Sequence, residues 1–320
     1  MFNFDDGEHG GMTTPRIMSL LPSGTEIICA LGLEAYLVGI SHACDYPESI
    51  TDRPRLTAPE IDLGGGSATM DSAVSALVQP GPSVYRIDTQ QLQALAPNVI
   101  VTQDQCEVGP VSYAEVIAAV QASCGPHVEV VSLSPKLLQD IWADIRSVGR
   151  ATGRLQEADV VLAACFERVH AIIAETIMIP EPPRVAAIAW LEPLMLGGYW
   201  IPELLQLAGG RDGLCQPGSP VSLADWEVIR AYDPEVLTIM PCGYPLEKTL
   251  SEVSTLTRLP GWDTLRAVRE GRVYAVDGRA YFHRPGPRVV DSLELLAGCI
   301  HPDMFGEFLE DRHWAYRRID

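Results

Sequence analysis

Three cysteines stand just past three predicted strands: Cys44 after Leu37–Ser41, Cys106 after Val99–Thr102 and Cys242 after Val236–Met240. Thiolates select zinc, copper(I) or iron–sulfur centres, so three at equivalent strand ends could converge on one metal or cluster. No CxxC spacing supports that convergence, and a free cysteine packed as a small apolar side chain is the competing reading. His42 and His283 are the imidazoles nearest these loops, and either could ligate a metal or simply be hydrogen-bonded. A thiol close to His42 could also act as a nucleophile. No G-x-S-x-G, HExxH, GxGxxG or kinase signature accompanies it, and no residue is assigned a catalytic role.

Two other groups of residues could hold a ligand. Trp190, Tyr199, Trp200, Tyr244, Tyr281 and Phe282 crowd loops of the second half, where rigid rings suit a flat or conjugated molecule. Arg284 and Arg288, stiffened by Pro285 and Pro287, suit a carboxylate or phosphate, or equally a structural ion pair. Ser23-Gly-Thr-Glu26 reads as a capping box whose helix N-terminus could take an anionic group at Ser23. Gly64-Gly-Gly66 lacks the ending of a phosphate loop and reads as a connection.

The elements that position these residues are written twice. Arg16-Ile-Met-Ser-Leu-Leu and Arg184-Val-Ala-Ala-Ile-Ala are apolar runs that each open a half. Leu92-x-x-Leu95-x-Pro97-Asn-Val-Ile-Val101 is matched by Ile229-x-x-Tyr232-x-Pro234-Glu-Val-Leu-Thr238, each an amphipathic helix, a proline turn and a buried strand. Between the halves, apolar residues from Leu155 to Ile177 recur at three- and four-residue steps, and Pro180, Pro182 and Pro183 end the run. The expected architecture is α/β: two Rossmann-like lobes joined by a long backbone helix, with a ligand cleft between them. Its expected divisions are a flexible N-terminus over 1–14, lobes over 15–130 and 183–320, and connecting helices over 131–182.

Bulk properties narrow the partners. With a formal net charge of −19 and only Lys136 and Lys248 as lysines, the chain repels phosphate backbones, so nucleic acid is not an expected partner. No apolar run approaches the roughly 20 residues of a spanning helix. The first fifteen residues are acidic and glycine-rich, without the basic start and apolar run of a secretory signal. The expected location is therefore cytoplasmic, where eight cysteines remain thiols or bind metal.

Taken together, Ser19-Leu-Leu-Pro-Ser-Gly-Thr-Glu26, Leu95-x-Pro97-x-Val-Ile-Val101, the central helix and Leu265-Arg-Ala-Val-Arg-Glu-Gly-Arg-Val-Tyr-Ala-Val276 resemble the class III solute-binding proteins. That group captures cobalamin and ferric siderophores for ABC importers. His42-Ala-Cys44-Asp-Tyr-Pro47, Met240-Pro-Cys242-Gly and Tyr281-Phe-His-Arg-Pro-Gly-Pro-Arg288 resemble its leaderless, cobalamin-binding-like branch. The resemblance implies a corrinoid (cobalamin) or similar planar ligand in the cleft, and an ABC importer as partner if the protein is exported. A cytoplasmic metal or iron–sulfur protein using Cys44, Cys106 and Cys242, and an enzyme with a cleft cysteine, are the alternatives.

Overall fold

The computed structural model describes residues 14–60, 65–78, 85–104, 113–124 and 127–319. Six strands belong to the first half: β1 (Ile17–Ser19), β2 (Leu37–Ile40), β3 (Thr57–Pro59), β4 (Tyr85–Ile87), β5 (Val99–Gln103) and β6 (Glu129–Leu133). Four of them form a parallel sheet in the order β2-β1-β5-β6, while β3 and β4 pair as an antiparallel ribbon. The second half contributes β7 (Val185–Trp190), β8 (Met195–Leu196), β9 (Ser222–Leu223), β10 (Val236–Ile239), β11 (Val273–Val276) and β12 (Tyr316–Ile319). They form one sheet ordered β12-β11-β10-β7-β8-β9, parallel at β11-β10-β7 and antiparallel outside it. Burial on both faces explains why β5 and β10 are mostly apolar rather than alternating, with Thr102 and Thr238 buried among them.

The helices labelled here are α1 (Pro22–Ala30), α2 (Ser67–Val78), α3 (Thr89–Leu95), α4 (Tyr113–Ser123), α5 (Leu138–Ala151), α6 (Leu155–Thr176), α7 (Ile201–Leu207), α8 (Trp226–Tyr232) and α9 (Leu246–Glu252). The repeat seen in the sequence is built with the same bonds in both halves. Asp88 caps α3 by accepting from the Gln91 amide, and Asp225 caps α8 by accepting from the Glu227 amide. Each helix ends on a left-handed residue, Ala96 or Asp233, which turns the chain toward its proline. Arg16 donates to the carbonyls of Leu95 and Ala96, and Arg184 to that of Asp233. The Arg16 carbonyl accepts from Asn98 and Val99, as that of Arg184 does from Glu235 and Val236. The strand pair β1-β5 is thus reproduced in β7-β10.

The connector is a helical pair. The 22 residues of α6 span about 33 Å. Asp140 accepts from the Lys136 and Leu137 amides at the start of α5, and Glu203 of α7 accepts from the Leu138 amide at 2.7 Å. On the other side Arg168 of α6 bridges Asp291 and Glu294 of the C-terminal helix Val289–Ile300. Both helices of the spine are therefore tied to the second half, at the same end of the antiparallel pair. Among the described residues no helix is long and apolar enough to cross a membrane.

Candidate functional site

The start of α1 differs from the sequence expectation. The helix begins at Pro22 with Leu21 at its N-cap and no side-chain cap, so Ser23 and Glu26 lie inside it, buried. Proline supplies a helical φ at N1, and no hydroxyl cap is needed. A Cβ on Gly24 would come within 2.8 Å of the Val101 side chain, so only glycine lets the helix pass this close to β5. The Ser23 carbonyl lies beneath Gly286 from the other half, and the N-terminus of α1 is covered rather than open to an anion.

Glu26 has a different use. Its Oε1 meets Arg284 at 3.1 Å and Arg288 at 3.3 Å, both from the loop that follows β11. Arg284 also donates to Asp45 at 2.6 Å, and Arg279 reaches the same carboxylate at 3.4 Å. Burial pushes the Glu26 carboxyl above its usual range, opposed by the two guanidinium charges. The arginines expected to meet a ligand carboxylate or phosphate are thus engaged by the first lobe's own carboxylates. A second inter-lobe junction joins α2 to α9: the Ser67 amide donates to Glu252 at 2.8 Å, and the Met70 sulfur meets Tyr244 Oη and Lys248 Nζ.

Between these junctions the walls carry rings. On the first lobe His42 lies against Tyr85 of β4 with centroids 4.7 Å apart, and its Nδ1 is 2.7 Å from Thr57 Oγ1. Burial, and then the charge of Arg55, hold this imidazole below its usual pKa. On the second lobe half-buried Trp190, at the end of β7, meets Tyr244 edge-on at 5.2 Å, while Tyr244 itself, expected to meet a ligand, is 1% exposed and packs behind it under Lys248.

Cys242 and His283 occupy the same region. His283 Nε2 is 2.7 Å from the Met240 carbonyl, which fixes the ring. Burial opposes ionisation of Cys242, but the charge of His283, their hydrogen bond and the charge of Arg284 outweigh it and lower the thiol's pKa. The same pairing raises the pKa of His283 against its own burial. Water reaches Cys242 although protein surrounds it densely, the setting of a cleft floor, and its charge is felt by Tyr85 of the opposite lobe.

The other expected site residues are dispersed. Cys44 is buried in the first lobe, its sulfur 3.0 Å from Thr25 Oγ1 and 3.4 Å from Ser41 Oγ, and burial raises its pKa. Cys106 lies outside the described residues. Among those described, no group of three or more His, Cys, Asp or Glu side chains is placed to hold a metal ion. Trp200 is 5% exposed and donates its indole N–H to the Phe282 carbonyl at 2.8 Å. Phe282 is buried too, and Tyr199 stacks on Trp200. This trio packs the second lobe.

Sequence reasoning passed over Glu26 as a pairing group, Tyr85, Asp45 and Glu252. A carboxylate directly before Ile27-Ile28 in an apolar helix was a readable signal for Glu26. Tyr85 gave none, because β4 is a three-residue strand with no periodicity to read.

Two α/β lobes built on the same strand–helix plan, braced by a helical spine and meeting over a ring-lined cleft, define a bilobal ligand-binding protein. The periplasmic binding protein family model matches residues 17–280, and the chain belongs to that family. An uncharacterised ABC transporter substrate-binding lipoprotein, YvrC, of Bacillus subtilis (strain 168) is 21% identical over 91% of this chain and 82% of its own length. The vitamin B12-binding protein of Vibrio campbellii is 26% identical over 37% of this chain and 49% of its own. Among solved structures, the periplasmic heme-binding protein RhuT from Roseiflexus sp. RS-1 superposes with a TM-score of 0.66 at 23% identity, covering 91% of this chain and 99% of that one. The periplasmic vitamin B12 binding protein BtuF of Vibrio cholerae gives 0.64 at 18% identity, covering 90% and 97%. At these identities the likeness establishes the fold.

Proposed function

We propose that this protein binds a metal-bearing macrocycle of the cobalamin or heme type between its lobes. The observation that carries this reading is the set of half-buried rings on opposite walls, His42 with Tyr85 on one lobe and Trp190 on the other. Rings on both sides give a flat, conjugated ligand two rigid faces at little entropic cost. Relatives whose names record vitamin B12 or heme binding support the class. The test is titration with aquacobalamin and with iron(III) protoporphyrin, followed by tryptophan fluorescence. Saturable quenching by either supports the reading, and no quenching by both overturns it.

We propose a cytoplasmic location, a reducing compartment in which the described cysteines would remain thiols. In that compartment the protein carries or stores its ligand; an exported form would deliver it to an ABC importer. Fractionation of the native organism's cells tests the location, and recovery outside the cytoplasm would favour the importer.

A further inference from the structure

We infer that α2 is a strap across the cleft whose release from α9 admits and frees the ligand. The strap rests on the functional reading above only for the place where ligand binds, not for the ligand's identity.

α2 lies between β3 and β4, the two strands of an antiparallel ribbon that stands apart from the first lobe's parallel sheet. That ribbon carries one ring wall of the cleft: Tyr85 belongs to β4, and the Thr57 hydroxyl of β3 holds His42 through its amide at 3.0 Å and its Nδ1 at 2.7 Å. From this wall α2 reaches the second lobe. The Ser67 amide donates to Glu252 at 2.8 Å, and Met70 Sδ lies 3.6 Å from Tyr244 Oη and 3.4 Å from Lys248 Nζ. Tyr244 in turn backs Trp190, the opposite wall. One helix therefore links the two ring walls.

α2 is also lightly seated. Of its described side chains only Ser67 is buried; Ala68, Met70, Ala73 and Val74 are half-buried, and Ser72 and Ser75 are exposed. In α1, by contrast, Ile27 and Ile28 have no exposure at all. A helix that buries so little apolar surface opens locally at small cost, and lids are drawn from such elements. Its hold on α9 is one hydrogen bond to a carboxylate and the contacts of one thioether. The lobes themselves are joined elsewhere, by the buried pair of Arg284 and Glu26 and by the α5–α6 spine. Freeing α2 opens the cleft without parting them.

The test uses the full chain and two measurements. Amide hydrogen exchange on the free protein reads the strap with no ligand present: α2 is expected to exchange at least about tenfold faster than the middle of α6. Stopped-flow tryptophan fluorescence with aquacobalamin and with iron(III) protoporphyrin reads the gate. Glu252→Ala removes the acceptor for Ser67 and should raise association and dissociation rates together by about fivefold, with the dissociation constant changed by less than about twofold. A side chain that merely touches the ligand alters dissociation alone, so the parallel change distinguishes a gate from a contact. Glu252→Gln keeps an acceptor oxygen and should return both rates toward native values. Met70→Ala should act in the same direction as Glu252→Ala, and thermal melts show that the variants are folded. Exchange in α2 as slow as in α6, unchanged rates in Glu252→Ala, or a change in dissociation alone overturns the strap and leaves the proposed function standing. If neither ligand binds, the functional reading fails, and the strap stands or falls on the exchange of α2.

Discussion

Arg284 of the second lobe reaches Glu26 of the first at 3.1 Å across 258 positions of sequence, with both side chains almost wholly buried. The pair closes the two halves on one another beside the cleft, and Arg288 and Asp45 extend it into a four-residue cluster. Glu26 Oε2 has no hydrogen-bond partner among the described residues, so one carboxylate oxygen carries both guanidinium contacts.

Removing one partner of a buried pair strands the other's charge. Glu26→Ala is therefore expected to destabilise the protein by about 3 kcal/mol, read as a lower urea midpoint. Asp45→Ala should cost much less, since Asp45 is 37% exposed. Equal effects would show that burial does not set the cluster's strength.

Trp200 and Trp190 should separate stability from binding. Trp200→Ala empties a packed position and loses a hydrogen bond, which costs about 3–5 kcal/mol of stability. Trp190→Ala should leave the melting temperature nearly unchanged and weaken macrocycle binding by about 1 kcal/mol. Calorimetry on both variants decides it, and the reverse pattern would place the ligand against Trp200.

Much of the fold was legible because its signals are local. The helix–proline–strand echo at Pro97 and Pro234 needs only residues within a dozen positions, and it marked the strand pairs that build both sheets. The periodicity of α6 likewise gave that helix to within two residues at either end. The site was less legible because its partners are distant. Arg284 meets Glu26 and Asp45, and nothing near Arg284 in sequence names them. Trp200 sits in a loop-like stretch, yet its indole finds a carbonyl 82 residues on. Cys242 and His283 were each singled out, but the Met240 carbonyl that holds the His283 ring lies 43 residues before it.

The pH dependence of stability has one clear internal source in Asp144 of α5. Burial, reinforced by the charge of Asp140, pushes its carboxyl up to about 7, and its Oδ2 has no hydrogen-bond partner among the described residues. A folded pKa above the unfolded value of about 3.9 means the fold favours the protonated acid. That contribution is complete below pH 4 and is lost as the pH rises to 7. Asp144→Asn should therefore raise the melting temperature at pH 8 and change it little at pH 4. A larger gain at pH 4 than at pH 8 would contradict the assignment.

The junction between Glu252 and α2 gives a local prediction. A carboxylate accepting from the Ser67 amide satisfies an open donor and faces the positive end of the helix, worth about 1 kcal/mol. Glu252→Ala should speed amide exchange in the first turn of α2 about fivefold, while α6 is unaffected. Unchanged exchange in α2 would show that Met70 and its partners alone hold the helix.

The spine of α5 and α6, tied to the second lobe through Glu203 and Arg168, has a bearing on signalling. A bilobal receptor on extended hinges announces its cargo by changing shape. A braced helical pair is expected to resist bending, so that the angle between the lobes would carry little information. Any partner that must tell a loaded molecule from an empty one has to read the surface at the mouth of the cleft, where the cargo itself becomes part of the face presented.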